Sequence, residues 1–554
     1  MIYRFNPTLT RSQFEFRIRL AEKRLESYPL DSLDFVMMDL EHPATKSRHA
    51  DQCTTDLTGR TIEFLAAAHR ILPDCDDTRM NELFHRMTLK GDYSYLARRY
   101  IPYMLYSSDA EAYKCIAGVY DRMVEEVEKN PAVAGRYIDS CGCSIEGIAE
   151  FYAITGDERY VKLAKAIAEA GFPTFENAHS HASLTILRAI LKMGYLSGDK
   201  WFLDIVRPYR EKVLKAQCAD GSISEAFPRS YRNEGCSTAD WIMVNLRYWA
   251  LTGDETALDV AENSMLNGLF FNQFITGGFG HRNYRPDFTG YGTQIEEAWW
   301  CCTQTGGMAM IEFAENAVVL IEDENGGARI HVNYPVPGNY QLNYNGKDIT
   351  VKIISEYPAT YDVNIRVFGG GDLPLTIRKP KYTADVDRPI TCNAIPGVPG
   401  GKAYNVSYPI GHYFEELDDG WVLKYGPLLL APLIYGWDED GHTGKGTGIP
   451  EGYLSESMGG GSFYIMEPEE KDEYGFWKLA CGTNLPAWHA FDDGAGSRTG
   501  TMYRAPAIVN IWNERWDKTP IYFHPISYQT CNLTFRDIKM CFGYLRPVND
   551  ETTK

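Results

Sequence analysis

The chain has 554 residues, of which 44% are hydrophobic and 23% charged, so it is a globular sequence with material for about two to four domains and a large core. Its formal net charge of −19 argues against a nucleic-acid partner, because phosphate binding needs a basic surface. No apolar run is long enough to span a membrane, and the N-terminal stretch lacks the apolar core of a signal peptide, which predicts a cytoplasmic protein, or a periplasmic one if a signal peptide was removed.

One dipeptide recurs between apolar helical stretches in the first part of the chain. Gly-Asp occurs at Gly91-Asp92, Gly156-Asp157, Gly198-Asp199 and Gly253-Asp254, with spacings of 65, 42 and 55 residues. Gly is suited to end one helix and Asp to cap the next, and each interval has the length of a helical hairpin with its loops. Repeated hairpins form either an open solenoid or a closed toroid. The spacing predicts an (α/α)6 helical barrel over residues 1–325, with an open solenoid as the alternative.

The pattern changes after about residue 325. Segments such as ARIHVNY and DITVKIISEY alternate apolar and polar residues, with Gly and Pro at short intervals. This alternation predicts a β-sandwich over residues 326–436. Short strands return from Tyr503, which predicts a second β domain over residues 437–554. The expected fold class is therefore multidomain α+β, with a helical barrel followed by β-sandwich domains.

Two cysteine motifs provide candidate metal ligands. Thirteen cysteines without short, regular spacing do not suggest a disulfide scaffold. Trp299-Trp300-Cys301-Cys302 contains a vicinal pair, and in Glu234-Gly235-Cys236 an extended backbone would turn both side chains to one side. Each motif alone fits a structural interpretation, since free cysteines often pack as small hydrophobes. Together they offer three sulfurs and one oxygen, a tetrahedral donor set for Zn²⁺.

A glutamate and two histidines complete the set of candidate site residues. Glu225 lies on a predicted loop nine residues before Glu234. It is either a general acid beside the metal site or a solvated surface carboxylate. His179 and His181 begin a predicted helix, where imidazoles often cap a helix or line a pocket.

The order of these motifs resembles glycoside hydrolase family 127, the β-L-arabinofuranosidase-like enzymes. Glu225-Ala226-Phe227 is similar to the loop that carries the family's acid/base glutamate. Glu234-Gly235-Cys236 resembles the Glu-Thr-Cys zinc-ligand motif, and Cys301-Cys302 resembles the double cysteine. The resemblance implies a retaining exo-glycosidase with Cys301 as nucleophile and Glu225 as acid/base, and with Zn²⁺ held by Glu234, Cys236, Cys301 and Cys302.

Further segments follow the family pattern from about residue 140 to 435. Leu266-Asn267-Gly268 resembles a Tyr-Asn-Gly helix end, and Tyr425-Gly426-Pro427-Leu428 resembles an Arg-Gly-Pro-Leu strand. His179 matches a histidine of the family's pocket. The resemblance implies that His179 and Cys143 contact the substrate, a β-L-arabinofuranoside or a related plant-derived rare sugar. Trp300, immediately before Cys301, is expected either to form a wall against the sugar or to pack in the core.

The sequence also departs from that pattern. Thr303 to Gly307 replaces the Pro and Asn residues that follow the double cysteine, and a sugar-binding histidine falls near Cys141 or Cys143. The interval from Glu225 to Glu234 is shorter than in the family. These differences indicate a divergent member with an altered sugar pocket.

Two other functions remain open at this point. Helical toroids also host sugar epimerases and isomerases that use paired histidines, here His179 and His181. A non-catalytic carbohydrate-binding protein with a structural zinc is the third hypothesis. The expected partner is a glycoside or oligosaccharide, without nucleic acid or membrane, and a homodimer is compatible with the sequence.

Overall fold

The computed structural model of the chain describes most of the helical part and most of the strands that follow it. The described residues are 2–26, 36–38, 47–49, 54–72, 74–86, 94–108, 110–138, 144–172, 178–274, 276–284, 290–298, 301–323, 325–370, 372–386, 390–417, 420–432, 463–465, 470–484, 501–511, 515–525 and 540–541.

The helices lie almost entirely before residue 316. They are α1 (Gln13–Glu26), α2 (Thr54–Ile71), α3 (Thr78–Arg86), α4 (Ser94–Ser107), α5 (Ala110–Lys129), α6 (Ser144–Thr155), α7 (Glu158–Ala170), α8 (Ser180–Ser197), α9 (Trp201–Ala216), α10 (Gly235–Thr252), α11 (Glu255–Asn263), α12 (Phe270–Asn272) and α13 (Cys302–Glu315), with a 3₁₀ turn at Pro131–Tyr137 and a π turn at Ser264–Leu269.

Within the described part of the chain, six helices contact one another in a closed cycle. The order is α2, α4, α6, α8, α10 and α13, and α13 returns to α2. Helices α1, α3, α5, α7, α9 and α11 each pack against a member of this cycle. Burial follows the same division, because α10 is buried on all sides from Gly235 to Trp249, whereas α7 buries one stripe that includes Tyr160, Ala164 and Ile167.

The Gly-Asp dipeptides end and begin helices as predicted. Gly156, Gly198 and Gly253 all have positive φ, and Gly198 and Gly253 end α8 and α10 in the left-handed conformation. The Asp157 and Asp254 carboxylates accept hydrogen bonds from backbone N–H groups in the first turns of α7 and α11. The first dipeptide, Gly91-Asp92, lies outside the described residues.

Strands dominate the rest of the chain. They are β1 (Ile2–Arg4), β2 (Asn6–Leu9), β3 (Val36–Met38), β4 (Ser47–His49), β5 (Arg232–Glu234), β6 (Gly280–Tyr284), β7 (Gly290–Glu297), β8 (Val318–Glu322), β9 (Ala328–Val332), β10 (Gly338–Tyr344), β11 (Lys347–Ser355), β12 (Asp362–Phe368), β13 (Leu375–Ile377), β14 (Thr391–Ala394), β15 (Lys402–Ser407), β16 (His412–Leu417), β17 (Gly420–Tyr425), β18 (Leu428–Pro432), β19 (Phe463–Ile465), β20 (Ala480–Asn484), β21 (Thr501–Ile511), β22 (Arg515–Pro525) and β23 (Met540–Cys541).

The strands form several mainly antiparallel sheets. Their orders are β1-β8-β9-β13, β14-β15-β12-β11-β10-β2, β16-β17-β18-β22-β21-β19 with β20 on β21, β23-β7-β6-β5, and the pair β3-β4. In β11 the buried residues Ile349, Val351 and Ile353 alternate with more exposed neighbours, as the sequence pattern predicts for a sheet with one buried face.

The helices and sheets together confirm the predicted α+β class. Strands β1 and β2 pair with β8 and β10, so residues 2–9 belong to the sheets that follow the helical part. Strand β18 pairs with β22, so one sheet contains strands from both sides of residue 436. The domain boundaries at 325 and 436 stay predictions. Among the described helices, none combines the length and apolar character needed to cross a membrane.

Candidate active site

Two helix N-termini bring the cysteines together. Cys236 is the second residue of α10, Cys302 is the first residue of α13, and Cys301 immediately precedes α13 with φ −139° and ψ −51°. Helices α10 and α13 are in contact. The partial positive charge of each helix N-terminus favours thiolates, so this position suits cysteines that are to ionise.

The four predicted metal ligands converge. The Sγ atoms of Cys236, Cys301 and Cys302 and a carboxylate oxygen of Glu234 all lie within 4.8 Å of one another. The Cys302 Sγ is 3.4 Å from that of Cys236 and 3.7 Å from that of Cys301. Zinc–sulfur bonds of about 2.3 Å in a tetrahedron require sulfurs about 3.8 Å apart, so the donor set and its spacing fit Zn²⁺.

The local backbone differs from the predicted one. The prediction of an extended Glu234-Gly235-Cys236 segment is wrong, because β5 ends at Glu234 and α10 begins at Gly235. A Cβ atom on Gly235 would lie 2.7 Å from the Asn272 side-chain oxygen and 3.2 Å from Cys302 Cβ. Glycine at position 235 therefore lets Cys302 and Asn272 lie close to the start of α10.

The three thiols have different acidities. Burial raises the pKa of Cys236 and Cys302 well above the ordinary value. Hydrogen bonds with Cys236 and Cys302 lower the pKa of Cys301 well below it, against the effect of burial. The neighbouring thiols therefore stabilise the ionised form of Cys301.

Glu234 is a buried carboxylate with two hydrogen-bond donors. Its side chain is 3% exposed, and its Oε2 lies 2.8 Å from the Ser237 hydroxyl and 3.0 Å from His179 Nε2. Burial alone would raise the pKa of Glu234, but the His179 hydrogen bond and the charges of His181 and His179 lower it. The carboxylate is thus held ionised and oriented toward the sulfurs.

Glu225 is positioned by backbone hydrogen bonds on both sides. Its N–H donates to the Arg232 carbonyl at 2.7 Å, and its carbonyl accepts from the Ser180 N–H at 2.8 Å. Glu225 and Arg232 are thus opposite each other in a short hairpin, and Glu234, two residues after Arg232, faces the same side. The Glu225 side chain is one-third exposed and lies 3.6 Å from the Arg232 guanidinium, so it is fixed near the cluster but reachable by a ligand.

His181 and Asp240 are additional residues of this site. His181 Nδ1 lies 2.5 Å from Asp240 Oδ2, which also accepts the Thr185 hydroxyl at 3.0 Å. The His179 and His181 rings are nearly perpendicular, with centroids 5.9 Å apart. His181 was predicted to cap a helix, line a pocket or act in an epimerase, whereas Asp240 and Ser237 were not predicted. A charged residue within an apolar helical stretch was an available signal for Asp240.

The remaining predicted residues lie outside the described residues or away from the cysteine cluster. Cys143 and Trp300, together with Cys141 and Trp299, lie outside the described residues. Cys218 is buried away from the cluster, and burial raises its pKa to about 12. Asn267 of the Leu-Asn-Gly motif donates to the Pro427 carbonyl and accepts from the Leu429 N–H, so it joins the π turn to the β17–β18 segment.

The whole fold is similar to solved glycoside hydrolase structures. A GH127 β-arabinofuranosidase has a TM-score of 0.66 at 13% identity, covering 100% of this chain and 99% of that chain. A GH127 β-L-arabinofuranosidase from Geobacillus stearothermophilus T6 has a TM-score of 0.63 at 13% identity, covering 98% of this chain and 100% of that chain. This chain has the GH127 fold. A structure described as a glycoside hydrolase matches it equally well, with a TM-score of 0.66 at 12% identity over 99% of this chain and 98% of that chain.

The resemblance to family 127 is therefore confirmed at the level of the fold. No family model matches the sequence, and no curated protein matches it. The GH127 fold extends over nearly the full length of the chain despite the low identity, as expected of a divergent sequence.

Proposed function

We propose that this chain is a zinc-dependent glycoside hydrolase of the family 127 type, acting as a retaining exo-glycosidase. The observation that carries the proposal is the convergence of Glu234 and three cysteines at two helix N-termini, beside the loop of Glu225. The closed cycle of six helices is proposed to be the (α/α)6 barrel, with β-sandwich domains following it.

Glu234, Cys236, Cys301 and Cys302 would hold the zinc. When bound, zinc lowers the pKa of its thiol ligands and so keeps them deprotonated at neutral pH. Cys236 and Cys302 are completely buried, whereas Cys301 is partly exposed. Cys301 is therefore the sulfur that a substrate reaches.

The proposed first step uses Cys301 and Glu225. The Cys301 sulfur forms a bond to the anomeric carbon while the glycosidic carbon–oxygen bond breaks, and Glu225 donates its proton to the departing oxygen. In the second step Glu225 takes a proton from water, the water oxygen bonds to the anomeric carbon, and the carbon–sulfur bond breaks. Two displacements at one carbon give net retention.

The proposed substrate is a β-L-arabinofuranoside or a related plant-derived rare sugar. Support comes from the solved GH127 structures, which are described as β-arabinofuranosidases. The His179 side chain is 44% exposed, and His179 lies opposite Ala226 of the Glu225 loop, so the ring nitrogen that does not contact Glu234 is placed to hydrogen-bond with a sugar hydroxyl. Cys143 and Trp300 are proposed as further substrate contacts.

The decisive experiment labels the nucleophile. A mechanism-based electrophile built on β-L-arabinofuranose, followed by peptide mass spectrometry, is expected to modify Cys301. Cys301→Ser should lose essentially all glycoside cleavage, because a hydroxyl in place of the thiol ionises poorly. Cys115→Ser, which changes an exposed cysteine on α5, is the matched control and should behave as wild type.

The outcomes separate the alternatives. Label on Glu225 or Glu234, or activity retained by Cys301→Ser, would contradict the thiolate mechanism and indicate a carboxylate glycosidase with a structural zinc. A zinc-free preparation that epimerises free sugars and cleaves no glycoside would indicate the isomerase. Zinc binding without turnover on a broad glycoside panel would indicate a carbohydrate-binding protein.

A further inference from the structure

A second group of metal-ligand side chains lies among the first helices. It consists of Glu22 on α1, His69 in the last turn of α2, and Cys75 in the segment between α2 and α3. One ligand atom from each of the three lies within 4.8 Å of the other two. None of these residues belongs to the cluster formed by α10 and α13.

The contact between His69 and Glu22 is short but not aligned as a hydrogen bond. His69 Nε2 is 3.1 Å from Glu22 Oε1, yet among the described residues neither ring nitrogen of His69 has a partner in hydrogen-bonding geometry. Both side chains are almost inaccessible, at 1% and 6% exposed. Buried polar atoms are rarely left without partners, so an imidazole in this state indicates a missing ligand.

The spacing is what one ion between these atoms requires. Bonds of about 2.0–2.1 Å from a tetrahedral zinc to nitrogen and oxygen put those two atoms about 3.3 Å apart. A thiolate, an imidazole and a carboxylate are all ligands that zinc accepts. The alternative of a His-activated cysteine nucleophile lacks its first requirement, because no hydrogen bond joins the His69 ring to the Cys75 thiol.

The surroundings also suit a cation. The Tyr106 ring of α4 meets the His69 ring edge-on at 5.9 Å and covers the group on that side. The Glu26 carboxylate adds negative charge near Glu22. Of the two arginines close to these carboxylates, Arg19 is paired with Glu15 at 3.2 Å and Arg79 donates to the Glu26 carbonyl at 3.0 Å. Glu22 and Glu26 thus place two carboxylates in or beside the group.

We propose that Glu22, His69 and Cys75 form a second zinc site, which ties α1 to α2 and to the segment before α3. Three protein ligands leave the fourth tetrahedral position to water. The site does not depend on the proposed catalytic function, because it shares no ligand with it.

Zinc content of the purified full-length protein tests the proposal. Elemental analysis after dialysis should give about two zinc ions per chain in the wild type, since each ligand set binds one ion. Cys75→Ser and His69→Asn should each contain about one. The control Cys115→Ser should keep the wild-type content, and Cys236→Ser should lose the other ion while keeping this one.

A second measurement covers variants that fail to fold. In the wild type, X-ray absorption at the zinc edge should show a mixed nitrogen, oxygen and sulfur environment with less sulfur per zinc than the cysteine cluster alone provides. A wild-type content of one zinc that Cys236→Ser removes would overturn the proposal. So would unchanged zinc in folded Cys75→Ser and His69→Asn.

Discussion

His179 Nε2 lies 3.0 Å from Glu234 Oε2, so a half-exposed imidazole holds a fully buried carboxylate. The Ser237 hydroxyl donates to the same oxygen at 2.8 Å. Both donors fix the direction in which Glu234 faces the three sulfurs, and loss of such a partner typically weakens metal binding or activity by about 10–100-fold.

We therefore expect His179→Asn and Ser237→Ala to bind zinc more weakly than the wild type. Competition with a chromophoric chelator measures the affinity. Ser407→Ala, which changes a partly exposed serine on β15 whose hydroxyl donates to Asp362, is the control. Wild-type affinity in both site variants would show that Glu234 needs neither donor.

The two glutamates of the hairpin should respond differently to the same substitution. Glu225→Gln should keep zinc and lose about 10²–10⁴-fold in kcat on substrates with poor leaving groups, because proton donation is lost. Activated aryl glycosides need less protonation and should be affected less in the first step. Glu234→Gln should instead lower zinc content. Indistinguishable variants would mean that the roles are assigned wrongly.

Arg247 is the centre of a buried ion network beneath the site. Its guanidinium bonds to both oxygens of Glu146 on α6 at 2.8 Å each, and to both oxygens of Glu312 on α13 at 2.8 and 2.7 Å. Burial alone would raise the pKa of Glu312, but the charge of Arg247 holds it at about 2. The guanidinium thus joins three helices of the central cycle.

Arg247→Met should lower the free energy of unfolding by about 3–5 kcal/mol, because two buried carboxylates lose their main partner. Urea denaturation monitored by circular dichroism measures the change. Arg159→Met removes surface ion pairs with Asp157 and Asp121 and should leave the free energy of unfolding close to that of the wild type. Equal costs in the two variants would contradict a structural role for the network.

His331 on β9 should make the protein sensitive to moderate acid. Burial, with the charges of Arg329 and Arg378, lowers the pKa of His331 to about 4. Its unfolded value is about 6.5, so the unfolded chain binds the proton more tightly and stability falls as the pH drops from about 6.5 to about 4. The contribution is fully present above pH 6.5.

Replacing His331 should make the stability of the protein less dependent on pH. His331→Gln keeps a polar side chain that can reach Thr376, the present partner of Nδ1 at 2.7 Å, but does not titrate. Thermal melting between pH 4 and 8 should show a smaller loss of Tm at the acid end than in the wild type. If Tm falls with pH as much as in the wild type, the acid sensitivity comes from other groups. His412, with its pKa lowered to about 4 by burial, is the first of these to test.

The sequence predicted the features that depend on local chemistry. Gly198 and Gly253 end helices, and Asp157 and Asp254 cap them, because these residues satisfy backbone groups within one turn. The fold class and the four converging ligands were also predicted, because composition, the alternation of apolar and polar residues and the chemistry of donor side chains can be read from the sequence.

Features that depend on distant packing were not predicted. The need for glycine at position 235 comes from Asn272 and Cys302, which only the folded chain brings there. The pairing of His181 with Asp240 joins α8 to α10, and the sequence of neither helix indicates that the two helices are in contact. The role of Asn267 likewise appears only when its hydrogen bonds to the β17–β18 segment are seen.

Because the ribosome makes a chain from the N-terminus onward, β1 is synthesised well before its partner β8. Tyr3 donates a hydrogen bond to Glu322, a residue 319 positions later. At about 5–20 residues per second, roughly 15 seconds to one minute separates the emergence of the two strands from the ribosome. During that interval β1 lacks its partner strand while the helices between the two strands can already pack, so the contacts of β1 with β8 form after much of the helical part.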